Sequence, residues 1–294
     1  LIASKGSSTF SAITPMGRQH ENDREATAAD LKWLADPAEE PEPFGDGGTK
    51  MAWNTFNVVS IYPNGNPVMS DVNQRWVGDC CACAVIASMA YLYPRFVKHI
   101  IKDNMDKTYT VTMYDPKGKQ ISVGVGGDYF IGNSGDLGAL GGRNKEVTWA
   151  TILEKAMIKW NQIYQGSSNV GGIGTEYVSA IFTGDGESVG FGANALIAED
   201  LQRAVEVSLK QGRLVIGGFT RSGEQVDQNW QTTSGHAFTF ILPDDNTHLF
   251  KMRNPWGGTT DGVMKVKDDG RIPPMIDLRI CAPGAAKNYG VGPD

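Results

Sequence analysis

The chain has 294 residues, 40% of them hydrophobic, and a net charge of −6 at neutral pH, enough apolar material for a sizeable core shared between two lobes. The acidic balance, with no basic patch carrying interleaved aromatics, argues against nucleic acid as the main partner, and no apolar run reaches the ~18 residues of a membrane span. Four cysteines, three of them between Cys80 and Cys83, do not make a disulfide framework, and Cys281 is the only distant candidate for a bridge.

The sequence starts at Leu1 rather than Met, which fits a processed piece of a longer precursor and favours a secreted or cell-surface protein over a cytoplasmic one. Residues 1–21 are polar and Ser/Thr/Gly-rich without periodicity, and are expected to be loosely held. Thr27 and Asp30 suit the first turn of a short helix with Leu31 and Leu34 on its apolar edge, ended by Pro37. The stretch from Pro37 to Gly48 is a linker by composition. Residues 1–50 therefore read as an extension and linker, with the compact protein starting near Met51.

From Gln74 to Leu92 the pattern changes. A loop carrying Gln74, Gly78 and Asp79 runs into Cys80, and then Ala82, Ala84, Val85, Ile86, Ala87, Met89 and Ala90 cover every helical face, so this helix should be buried on all sides. A cysteine that opens such a helix sits at the positive end of its dipole, where the thiolate is favoured over the thiol. Tyr109–Tyr114 and Gln120–Val125 form a hairpin around a Pro/Gly turn, and the Gly-rich segment 124–142 reads as a long surface loop. Helices follow at about Thr148–Tyr164 and Ala198–Lys210, the second stopped by Gly212.

Beyond that point short alternating runs separated by turns read as strands: Leu214–Phe219, His236–Leu242, His248–Arg253, Gly262–Lys267 and Ile276–Cys281. The expected class is α+β. A helical lobe (51–212) carries Cys80, and a lobe built on an antiparallel sheet or open barrel (213–294) carries His236 and Asn254. A cleft between them suits an extended peptide.

A reactive thiolate needs a base that holds it ionised and later protonates a leaving amine, and imidazole has a suitable pKa. Of the four histidines, His20 lies in the polar tail, His99 in a Lys-rich run and His248 after a turn. His236 opens an apolar strand directly after Gly235, which lets another backbone approach. Asn254 ends the neighbouring strand, where a side-chain amide oxygen could fix the tautomer of His236, with Trp256 shielding that bond from water. Gln74, six residues before Cys80, could donate to an oxyanion together with the Cys80 N–H. Asn-Pro-Trp-Gly is equally a good turn, and a lone loop glutamine carries no meaning by itself.

Together these residues resemble the catalytic motifs of the calpains: Gln74-(three residues)-Gly78-Asp79-Cys80, Gly235-His236-Ala237 and Arg253-Asn254-Pro255-Trp256-Gly257. Trp149–Ala156 is similar to the calpain helix Trp-Ser-Ala-Leu-Leu-Glu-Lys-Ala, and Gly171-Gly172 and Phe182-Thr183-Gly184 look like the segments beyond it. The blocks fall in the family's order over about residues 71–257, and the nearest kind is the bacterial calpain-like thiol protease of the Tpr type. The resemblance implies a papain-like core with Cys80 as nucleophile, His236 as base, Asn254 as orienting group and Gln74 as oxyanion donor. It implies further that Gly172 and Gly235 hold the backbone of a protein or peptide substrate.

It also implies calcium, with Asp71 matching one carboxylate ligand and Glu146 lying one position from the other. Two departures stand out: Cys81 replaces the tryptophan that follows the nucleophile, and Arg75 replaces a glycine after Gln74. Four other readings compete. Cys80 and Cys83 form a Cys-X-X-Cys at a helix start, as in disulfide oxidoreductases, but without the expected strand–helix–strand frame. A zinc knuckle fails because adjacent cysteines do not easily share one tetrahedral ion. A catalytically silent peptide-binding domain would keep the cleft and lose the activity; acyl transfer to an amine would use the same triad.

Overall fold

The computed structural model describes residues 23–46, 49–191, 198–219, 222–223, 225–227, 230–231, 233–243, 250–257, 262–264 and 276–292. The polar stretch 1–21, His20 and His248 lie outside them. Helix α1 (Ala28–Ala35) starts on a reciprocal cap: Thr27 Oγ1 accepts from the Asp30 N–H at 3.1 Å, and Asp30 Oδ2 accepts from the Thr27 N–H at 2.8 Å. A two-residue hairpin of β1 (Gly45–Asp46) and β2 (Thr49–Lys50) precedes β3 (Ala52–Thr55).

Helix α2 (Cys80–Leu92) is buried on all sides from Ala82 to Ala90, as its composition requires. Its alanines keep it thin, so neighbours on every side can approach closely. Tyr93 leaves the helical region at φ −135°, because Pro94 follows and opens α3 (Pro94–Ile100). Strands β4 (Ile101–Asp103), β5 (Tyr109–Tyr114) and β6 (Gln120–Val125) form an antiparallel sheet, with the expected hairpin between the last two.

The segment 124–142 is not a surface loop. It contains β7 (Asp128–Ile131), paired with β3, and buries Leu137, Ala139 and Leu140. Its glycines mark close approach instead of exposure: a Cβ at Gly124 would stand 2.4 Å from the Ala35 carbonyl oxygen at the end of α1.

Helix α4 (Trp149–Tyr164) is capped by Thr148 and buried on its polar face as well as its apolar one. Lys155 pairs with Glu40 at 2.6 Å and lies over the Trp53 ring. Lys159 donates to the carbonyls of Asp36 and Gly124, each at 2.8 Å, and lies over Trp33. Burial pushes the Lys159 ammonium down to about 8. With Leu34 fully buried, packing on this lobe begins well ahead of Met51. Helix α5 (Thr175–Thr183) completes the lobe and ends on Gly184 at φ +76°.

The second lobe holds β8 (Ser188–Phe191), α6 (Ala198–Lys210), β9 (Leu214–Phe219), β10 (Gln225–Asp227), β11 (Trp230–Gln231), β12 (Ala237–Ile241), β13 (Phe250–Arg253), β14 (Gly262–Met264) and β15 (Ile276–Cys281). Six of these strands make one antiparallel sheet in the order β14-β13-β12-β9-β15-β8. Helix α2 lies against β12 and β9, and Thr239 Oγ1 donates to the Ala84 carbonyl at 2.7 Å. One helix thus floors both lobes and brings the start of α2 to the start of β12. Among the described residues no single helix is long and apolar enough to cross a membrane.

Candidate active site

Cys80 is the first residue of α2, and His236 immediately precedes β12. Gly235 holds φ +64°, a left-handed conformation that favours glycine, and so swings His236 off the strand end towards the helix. Cys81, His236 and the Ala237 N–H are the neighbours that favour a thiolate at Cys80. Against the opposing cost of burial these bring Cys80 down to about 4. Cys81 moves the other way, because Cys80 favours its protonated form and its surroundings are buried.

The far side of the imidazole is fixed. His236 Nε2 lies 2.7 Å from Asn254 Oδ1, which also accepts from the Trp256 N–H at 3.0 Å. That second bond orients the amide so that its oxygen faces the ring, leaving Nε2 as the donor. The Trp256 ring lies 4.3 Å from the imidazole with half its own surface exposed, covering the pair from the cleft side.

Gln74 stands beside this group on a loop tied to both lobes. Its backbone N–H donates to the Pro255 carbonyl at 2.7 Å, and its side-chain Nε2 donates to Val77 O at 2.9 Å. Arg253, buried, reaches across with Nη2 2.7 Å from Val72 O and Nη1 3.1 Å from Asn254 O. Gly172 sits at φ +72° with its N–H on Gly78 O at 3.1 Å, next to the loop before Cys80. A cavity of about 600 Å³ opens at the pair, lined by Cys80, Cys81 and His236 and walled by Phe191, Ile216 and Leu278.

Behind the sulfur lies a pair of acids. Asp79 and Glu154 are both fully buried, and Glu154 donates to Asp79. Desolvation pushes Asp79 up to about 7 and Glu154 well above the carboxylate range, so the pair retains a proton. Glu154 Oε2 accepts from the Leu140 N–H at 2.9 Å, and Cys83 donates its thiol to Asp79 Oδ1 at 3.3 Å. Cys83 therefore turns away from the cavity, and none of the four cysteines is in a disulfide. His99 ends α3 against the Tyr289 ring.

Of the calcium ligands expected at Asp71 and Glu146, Asp71 is taken up by other donors, while Glu146 keeps one buried oxygen, Oε2, without a hydrogen-bond partner. Asp71 is buried with Oδ1 2.7 Å from Asn64 Nδ2, and with Oδ2 2.7 Å from Trp149 Nε1 and 3.2 Å from the Val68 N–H. Those donors satisfy its charge. Glu146 lies across Gly142 beside the Arg75 guanidinium. Calcium takes six to eight oxygens, and among the described residues no three His, Cys, Asp or Glu side chains converge.

The sequence singled out Cys80, His236, Asn254, Gln74, Gly235, Gly172 and Trp256; Cys80, Gly235 and His236 line the cavity, Asn254 and Trp256 lie against His236, and Gln74 and Gly172 are bonded to Pro255 and Gly78 beside them. It did not assign roles to Glu154, Arg253 or the proton on Cys81. The signal for Glu154 was present: an acid at an inward position of an apolar helix must be paired or protonated. Among curated proteins the chain has no significant match. The family model of the calpain family cysteine proteases matches residues 53–262, most of the chain and all of the motifs above, and the chain belongs to that family.

Proposed function

We propose that this chain is a cysteine endopeptidase acting through a thioester intermediate. The observation that carries the reading is that Cys80, at the start of a buried helix, and His236 line one cavity, with the far side of His236 held by Asn254 at 2.7 Å. The thiolate attacks a peptide carbonyl, and its electron pair forms the C–S bond as the carbonyl oxygen takes up negative charge. The Cys80 N–H and the second N–H of Gln74 stabilise that oxyanion. His236 gives its proton to the leaving amine, then takes one from the water that cleaves the thioester. Asn254 holds the ring through both transfers.

Gly172 and Gly235 present backbone to an extended substrate, and Trp256 keeps water from the His236–Asn254 bond. Maturation by proteolysis leaves residues 27–44 in place, since Leu34 and Glu40 belong to the packed structure. The test is hydrolysis of casein by wild type and Cys80→Ala, with iodoacetamide labelling of the thiol in parallel. Loss of hydrolysis in Cys80→Ala supports the reading. Slow labelling of Cys80 in a protein that cleaves nothing would leave a peptide-binding domain, and full activity of Cys80→Ala would refute the assignment.

A further inference from the structure

The segment 73–76 is laced to the segment 138–142. The backbones of Asn73 and Gly141 exchange hydrogen bonds at 3.0 and 3.2 Å, and the Trp76 N–H donates to Gly138 O at 3.0 Å. Arg75 supplies a charged tether to the same segment: Nη2 lies 2.6 Å from the Gly142 carbonyl oxygen and 3.5 Å from that of Arg143. Glu146 and Asp136 both act on the guanidinium by their charge. Backbone carbonyls with carboxylates near them are surroundings a divalent ion would otherwise seek, and here a guanidinium donates to the carbonyls while the carboxylates act on it at longer range. Arg75 adjoins Gln74, and on its other side the loop is held to the β lobe by Pro255 and Arg253.

We propose that Arg75 is a built-in cation that positions the Gln74 loop in place of a bound divalent ion, so that this active site assembles without calcium. Asp71 is satisfied by Asn64, Val68 and Trp149, and the carbonyls of the 142–146 turn by Arg75. Arg253 and the Gln74 N–H join the lobes. Within this set Glu146 Oε2 is buried without a hydrogen-bond partner, and the Arg75 charge acts on it. Arg75 is a positioning residue: it acts through Gln74, whose donation is needed in the transition state more than in the bound substrate. Its loss should therefore appear in kcat and not in KM.

The experiment takes the full chain as wild type, Arg75→Ala and Arg75→Lys, each in excess calcium chloride and in EDTA. Casein hydrolysis and the thermal unfolding midpoint are measured for each. Wild type should give the same midpoint and rate in both buffers. Arg75→Ala should lose roughly tenfold in kcat with KM little changed, as for a weakened oxyanion donor, and Arg75→Lys should recover part of it. A midpoint of wild type raised several degrees by calcium, as expected at about a hundredfold excess over a dissociation constant, and lost in Asp71→Asn, would overturn the proposal. So would an Arg75→Ala variant with unchanged kcat. The kinetic arm rests on the peptidase reading; the unfolding arm does not, so an inactive wild type would count against that reading while its midpoint still decides the question of calcium.

Discussion

Replacing Cys81 by alanine should make Cys80 a stronger nucleophile at neutral pH and a weaker acid. The Cys81 thiol is the leading influence that lowers Cys80 to about 4. Hydrogen bonds to charged groups are worth about 1.5–3 kcal/mol, a thiol being a weak donor at the low end. Removing about 1.5 kcal/mol moves the midpoint up by about one pH unit. Near neutral pH Cys80 remains ionised in both proteins, so the thiolate population hardly changes. Nucleophilicity rises with basicity at a Brønsted slope of 0.4–0.5, which gives roughly a threefold faster plateau. The assay is the iodoacetamide rate at Cys80 across acid to neutral pH, followed by peptide mass so that Cys81 labelling is counted apart. Cys81→Ser restores a donor and should return the midpoint to its original position. An unmoved midpoint in Cys81→Ala, or a slower plateau, would refute the reasoning.

Asn254→Ala removes the oxygen 2.7 Å from His236 Nε2, and the loss of about 1.5–3 kcal/mol should lower kcat/KM by roughly 10- to 100-fold; full activity would exclude an orienting role. Thr239→Val deletes the bond from β12 to the Ala84 carbonyl and leaves that buried carbonyl short of its donor, so urea unfolding should show a loss of about 1–3 kcal/mol. Asp79→Asn tests the buried acids. The folded pKa of Asp79, about 7, lies above its unfolded value of 3.8, so its contribution to stability is complete below the unfolded value and disappears as pH rises towards 7. Urea unfolding at acid and neutral pH should therefore show wild type losing its lead over Asp79→Asn between those limits; a constant difference would sink this account.

The helices and the antiparallel sheet were legible because each has its own period: α4 and α6 in steps of three and four, β5 and β6 in alternation. The grouping of Cys80, His236 and Asn254 was legible because three spaced motifs stood in one order, each weak alone. What escaped was polar burial. Composition marked residues 124–142 as glycine-rich and so as exposed, yet Gly124 is glycine because the end of α1 presses on it. Lys155 and Lys159 of α4 are buried, and the Asp36 carbonyl and Glu40 receive them. Such pairings join residues over a hundred positions apart, and no local pattern announces them.

The thiolate itself poses the harder physical question, since an anion at the end of a buried helix stands next to Asp79 and near Glu154. Three negative charges in one low-dielectric pocket would repel one another strongly. The structure resolves this by moving a proton. On folding, Cys80 gives up a proton that its unfolded thiol would keep, while Glu154 takes one that its unfolded carboxylate would lack. The pocket therefore gains a reactive sulfur without gaining charge. Cys81, His236 and the Ala237 N–H then favour the thiolate, and the Leu140 N–H and the Cys83 thiol donate to the acids from behind. On this argument Glu154 supports the reactivity of Cys80 without touching substrate, by keeping the space behind it from becoming a second anion.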